Sequence, residues 1–128
     1  MLIIGELING MYTQIQEAIS KKDKKIIHKV AKSQLENGAD ALDVNIGPAS
    51  LNQIDDMKWL IEAVCEVTDK PISIDSPKPK IIEEVLPLVK NKIIINSTDA
   101  QDEKLDILLP LAKKYNARII ALTMDKKQ

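Results

Sequence analysis

The strongest constraint on this chain is a pattern of five short apolar runs that each release polar residues at their C-terminal end. They are Leu2-Ile3-Ile4, Ala41-Leu42-Asp43-Val44-Asn45, Pro71-Ile72-Ser73-Ile74-Asp75-Ser76, Lys92 to Asn96 (continuing into Ser97), and Arg118 to Thr123 (continuing into Met124-Asp125). Stretches with helical spacing separate them. Ile15, Ala18 and Ile19 share one face of a short helix. Asp23 then stands as an N-cap, Ile26, Ile27, Val30, Ala31 and Leu35 form a stripe, and Gly38 falls at the C′ position. Met57, Leu60, Ile61 and Val64 mark the next helix, with Asp55 and Asp56 in its first turn, where negative charge suits the dipole. Pro79 opens a third helix along Ile81, Ile82, Val85, Leu86 and Val89, and Pro87 bends or ends it. Leu105, Leu108, Leu109 and Ala112 give a fourth, with Asn116 at its C-cap.

Repeated units of roughly 25–35 residues are the size of a βα module. Continuous rather than alternating apolar strands mark a parallel sheet covered on both faces. The predicted class is therefore α/β, with five parallel strands and four helices in βα order. The first strand is expected to end at Gly5, leaving Glu6, Asn9 and Gly10 in a polar loop.

Composition excludes several functions. The net charge is −1, from 18 basic and 19 acidic residues, and aromatic residues make up 2% with no Phe. Such a chain has neither the basic field nor the stacking platform for nucleic acid. No apolar run reaches membrane-span length, and Met1-Leu2-Ile3-Ile4 is too short for a signal peptide. The lone Cys65 excludes an internal disulfide and a Cys-rich metal site, so a cytoplasmic location is expected. His28 reads as a surface residue, Cys65 as a packed small residue, and Trp59 as lying off the apolar stripe. No phosphate-binding glycine loop occurs.

In parallel α/β folds, ligands bind at the C-terminal ends of the strands. Glu6, Asn9, Asp43, Asn45, Asp75, Asn96, Ser97 and Asp125 lie at or near those ends and would converge on one rim. Their chemistry is hydrogen bonding: carboxylates accept, and Asn both donates and accepts. A planar heterocycle with an amidine-like edge, such as a pterin, suits an Asp paired with an Asn. No nucleophile–base pair is evident.

The segments Leu2-Ile3-Ile4-Gly5-Glu6 with Asn9-Gly10, Gly38 to Gly47, Ile74-Asp75-Ser76, Ile95-Asn96-Ser97 and Ala121 to Asp125 together resemble the pterin-binding methyltransferases. Within that family the resemblance is to the methyltetrahydrofolate–corrinoid/iron–sulfur protein methyltransferases. It implies a (β/α)₈ TIM barrel that passes the N5-methyl of methyltetrahydrofolate to cob(I)alamin, the cobalamin being carried by a partner corrinoid protein. It also implies that Asp75 and Asn96 bind the pterin and that Asp43 and Asn45 support the rim. Dihydropteroate synthase shares the barrel and ranks lower, because its first-strand segment is missing here.

A full barrel takes about 250 residues, and residues 1–128 therefore read as its N-terminal half, a partial pterin-binding domain. The resemblance places further binding residues, and any catalytic group, on later strands. The expectation is impaired or absent turnover from this fragment, with its open edges leading to a homo-oligomer or to pairing with a complementary half-barrel. A non-catalytic half-barrel is one alternative. A receiver-like domain, with Asp75, Thr98 and Lys126 as its phosphoacceptor set, is another. Strand order separates the two folds: 1-2-3-4-5 in a barrel, 2-1-3-4-5 in a doubly wound sheet.

Overall fold

A computed structural model describes residues 1–124. Its elements run β1 (Ile4–Asn9), α1 (Thr13–Lys21), α2 (Lys24–Glu36), β2 (Ala41–Asn45), α3 (Gln53–Cys65), β3 (Ile72–Asp75), α4 (Pro79–Val85), a 3₁₀ turn (Leu86–Leu88), β4 (Ile93–Thr98), α5 (Asp102–Lys114) and β5 (Arg118–Ala121). All four strand pairings are parallel, and the sheet order is β1-β2-β3-β4-β5. Sequential order excludes the doubly wound, receiver-like arrangement and is that of a barrel wall. No helix among the described residues is long and apolar enough to cross a membrane.

Local chemistry explains the boundaries. The Asp23 carboxylate accepts from the Lys25 N–H at 3.0 Å and starts α2. Gly38 follows that helix at φ 101°, a left-handed conformation that a Cβ would strain. Pro79 opens α4, and Pro87 ends it in the 3₁₀ turn, since proline cannot donate to the preceding turn. In α5 the acids Asp102 and Glu103 sit in the first turn and Lys113 and Lys114 in the last, both favourable for the dipole.

The two faces of the sheet differ. Leu42, Val44, Ile72, Ile74, Ile93 and Ile95 belong to one core with Ile27, Ala31, Met57, Leu60, Ile61, Val64, Ile82, Val85 and Leu108 from the helices. The intervening positions point the other way. They carry Ala41, Asp43 and Asn45 on β2, Ser73 and Asp75 on β3, and Ile94 and Asn96 on β4. The runs look continuous in sequence because Ala41 and Ile94 interrupt the alternation. The expected apolar cover on both faces is thus corrected to one helix-covered face and one face with a polar upper end.

Three other expectations change. Among the described residues there are five α-helices rather than the four counted, because the short helix carrying Ile15 and the helix capped by Asp23 are separate elements, divided at a left-handed Lys22 (φ 54°). The first strand does not stop at Gly5 but runs through it to Asn9. Gly5 serves packing: a Cβ there would lie 2.6 Å from the Gln34 side chain of α2. Leu109 is 49% exposed and is not core, whereas Leu108 is buried. Trp59 and Cys65 are half-buried against the core. His28 is likewise half-buried, with Nε2 3.0 Å from Glu66 Oε2. Burial pushes the Cys65 thiol up from its ordinary value, which suits an unreactive packed side chain.

Truncation should separate true core from exposed apolar surface. Leu60→Ala is expected to lower unfolding stability by about 2–5 kcal/mol and Leu109→Ala by less than about 0.5 kcal/mol, read from chemical denaturation midpoints.

Candidate functional site

Parallel pairing sets the site. Asn45 pairs with Asp75, and Asp75 with Asn96, so three polar residues from three strands form one row at the C-terminal rim. Asn9 of β1 extends the row beside Asn45. Residues in register on neighbouring strands point to the same face, which is here the face away from the helices.

Hydrogen bonds lock the row. Asn45 Nδ2 donates to Asp75 Oδ2 at 2.7 Å, and Asn45 Oδ1 accepts from the Gly47 N–H at 2.7 Å. These two bonds together decide which end of that amide is oxygen. One layer down, Asp43 Oδ1 accepts from Ser73 Oγ at 2.5 Å and from Asn96 Nδ2 at 3.1 Å. Asn96 Oδ1 has no hydrogen-bond partner among the described residues, and Asn45 uses only one of the two Asp75 oxygens. Asp43 is also a hydrogen-bonding neighbour of the Asp75 carboxylate. The rim therefore presents acceptors on adjacent strands, suited to a ligand edge that donates.

The two carboxyls differ. Asp43 is 6% exposed, and burial raises its pKa above the ordinary carboxylate value. The Ser73 and Asn96 hydrogen bonds oppose that shift, while the neighbouring Asp75 charge adds to it. Asp43 is a buried strut under the row, and Asp75 is the half-buried carboxylate open to a ligand.

The loops above the row pack through two glycines. A Cβ on Gly10 would lie 2.0 Å from the Ile46 carbonyl oxygen, and one on Gly47 would lie 2.7 Å from the Gly10 carbonyl carbon. The Gly10 N–H donates to the Asn45 carbonyl at 2.9 Å. Beside them opens a cleft of about 450 Å³ whose lining includes Met11, Asn45, Pro48, Asp75 and Lys78, within the size range of small-ligand sites. A second groove of about 500 Å³, between α1 and the β2–α3 loop, touches none of the row residues.

The structure brings together Asn9, Asp43, Asn45, Asp75 and Asn96 of the residues singled out from sequence. Glu6 is not in a loop: it lies inside β1, exposed, at an irregularity between Gly5 and Ile8. Ser97 follows Asn96 at a register shift against β5. Asp125 and Lys126 lie outside the described residues. Sequence reading missed Gln34, a buried amide whose Oε1 accepts from the Leu7 N–H at 2.9 Å. Its polar place on an otherwise apolar helix face was the available signal.

Residues 12–128 match the family described as pterin binding enzyme, and this chain belongs to that family. It is 37% identical over 127 residues to the methylcorrinoid:tetrahydrofolate methyltransferase of Eubacterium limosum, covering 98% of this chain and 47% of that protein. Methionine synthase of Mycobacterium leprae is 27% identical over 133 residues, covering 99% of this chain and 11% of that protein. The chain spans about half the length of the first relative and about a tenth of the second.

The raised Asp43 pKa has a measurable consequence. The folded chain holds this proton more tightly than the unfolded chain, so the Asp43 contribution to stability falls as pH rises from about its ordinary value of 3.8 through the raised value. Asp43→Asn keeps an acceptor for Ser73 and Asn96 and removes the titration. The stability of Asp43→Asn relative to wild type should therefore increase between acidic and neutral pH in paired denaturation curves. A difference independent of pH would contradict the burial argument.

Proposed function

We propose that this chain provides the pterin-binding wall of a methyltransferase that moves a methyl group between N5 of a tetrahydrofolate and the cobalt of a corrinoid carried by a partner protein. The observation that carries the reading is the in-register row Asn45–Asp75–Asn96 in a chain of the pterin-binding family. Its relatives, which include a methylcorrinoid:tetrahydrofolate methyltransferase and a methionine synthase, support the corrinoid partner.

The acceptors of the rim fit a pterin edge. The pterin's amino group and ring N–H would donate to oxygens of Asp75 and Asn96, with the carboxylate making the stronger, charge-assisted bond. Asn45 holds Asp75 in place through its own 2.7 Å bond. Such fixed acceptors orient the ring without reorganising as the reaction proceeds. The corrinoid, when bound, supplies the cobalt that exchanges the methyl group with N5. The residues of this chain anchor the ring while the N5–carbon bond forms or breaks, and the same site serves either direction. No residue described here is assigned as a proton donor to N5.

The strands β1 and β5 each pair on one side only among the described residues, and exposed strand edges invite pairing. The proposal therefore includes association of this chain with a second copy or with a complementary half-barrel, and turnover below that of a closed barrel.

Calorimetric titration with methyltetrahydrofolate tests the site. Saturable binding is expected, weakened at least about tenfold by Asp75→Ala through loss of a charged hydrogen bond. The same sample should show a mass above 14.3 kDa by light scattering. A folded protein with no heat of binding would overturn the pterin reading, and a strict monomer the association.

A further inference from the structure

Opposite the two steps from Leu42 to Val44, β1 takes three, because Gly5 pairs with Leu42 and Ile8 with Val44. This is a β-bulge, a device common beside functional sites. Its effect follows from the period of two along a strand. Without the extra residue, Ile8 would stand opposite Asn45 on the rim, and Leu7 would take the core position. With it, Ile8 is fully buried and Asn9 meets Asn45.

Gln34 of α2 takes the bulge's spare donor. Its Oε1 accepts from the Leu7 N–H at 2.9 Å. Gly5 makes room for it, since a Cβ there would lie 2.6 Å from the same oxygen. The residue is 8% exposed, and its Nε2 is buried with no partner among the described residues. An unpaired buried amide N–H is unfavourable, and an apolar side chain would avoid it. The acceptor is therefore the useful half of this amide.

We propose that Gln34 is a positioning residue for the rim, holding the β1 bulge so that Asn9 stands in register with Asn45 and Met11 lines the cleft. Further hydrogen bonds stand above the bulge. The Met11 N–H donates to Asn9 Oδ1 at 2.9 Å, the Gly10 N–H donates to the Asn45 carbonyl at 2.9 Å, and Asn45 donates to Asp75. The ligand in this inference rests on the pterin reading above; the geometry does not.

The test uses Gln34→Met, which loses the acceptor, and Gln34→Glu, which keeps an acceptor oxygen in either protonation state. Ile27→Val, a core truncation on the same helix, controls for lost stability. In Gln34→Met, amide exchange at Leu7 should quicken about tenfold relative to the rest of β1, and tetrahydrofolate affinity should fall about three- to tenfold. Gln34→Glu should restore both. Ile27→Val should change neither beyond its general loss of stability. Should Gln34→Met not fold, Gly5→Ala, which drives a Cβ at the same oxygen, is expected to give the same two changes. Unchanged Leu7 protection in Gln34→Met, or wild-type affinity in that variant, would overturn the proposal. Absence of tetrahydrofolate binding by the wild type would instead overturn the pterin reading. The clamp is then decided by Leu7 exchange and by shifts of the Asn9 and Asn45 side-chain amides.

Discussion

The candidate site depends on one interaction above the others, the 2.7 Å bond from Asn45 Nδ2 to Asp75 Oδ2 across neighbouring parallel strands. It exists because β2 and β3 run in register with Asn45 opposite Asp75. Parallel pairing turns sequence position into height along the wall, so residues that each end a different apolar run arrive at one level. The bond uses one of the two carboxylate oxygens and fixes the plane of the other. Asn45 cannot rotate freely, because its own oxygen holds the Gly47 N–H.

Beneath that level the face stays polar for one further layer, and its polar atoms find partners. Asp43 takes hydrogens from Ser73 and Asn96, which links β2 to both β3 and β4. Burying a carboxyl this deeply is unfavourable unless it is hydrogen-bonded, and the two donors offset much of that cost. The opposite face is aliphatic and packs on the helices. A site carried on strands with such backing is held more firmly than one carried on loops. Only the glycine contacts at Gly10 and Gly47 let the loops above close down on it.

The row itself was legible in the sequence, since Asn45, Asp75 and Asn96 each end a strong apolar run and their level follows from counting. The class and sequential topology were legible for the same reason. Boundaries at β1 were not. Gly5 looks like a terminator by residue type, but its missing side chain answers to Gln34, about thirty positions away along the chain. A bulge adds one residue without altering composition, so periodicity alone cannot place it. Leu109 shows the same limit: helical spacing assigns it to a stripe, and only the packing of α5 shows that Leu108 carries the burial.

Chemical-shift mapping on isotopically labelled protein titrated with tetrahydrofolate tests the account most directly. The rim reading predicts saturable shifts of the Asn45 and Asn96 side-chain amides and of the Asp75 and Ser76 backbone amides. Shifts confined to Thr13, Gln16, Ser20 and Leu51, around the groove beside α1, or no shifts from a folded sample, would contradict it.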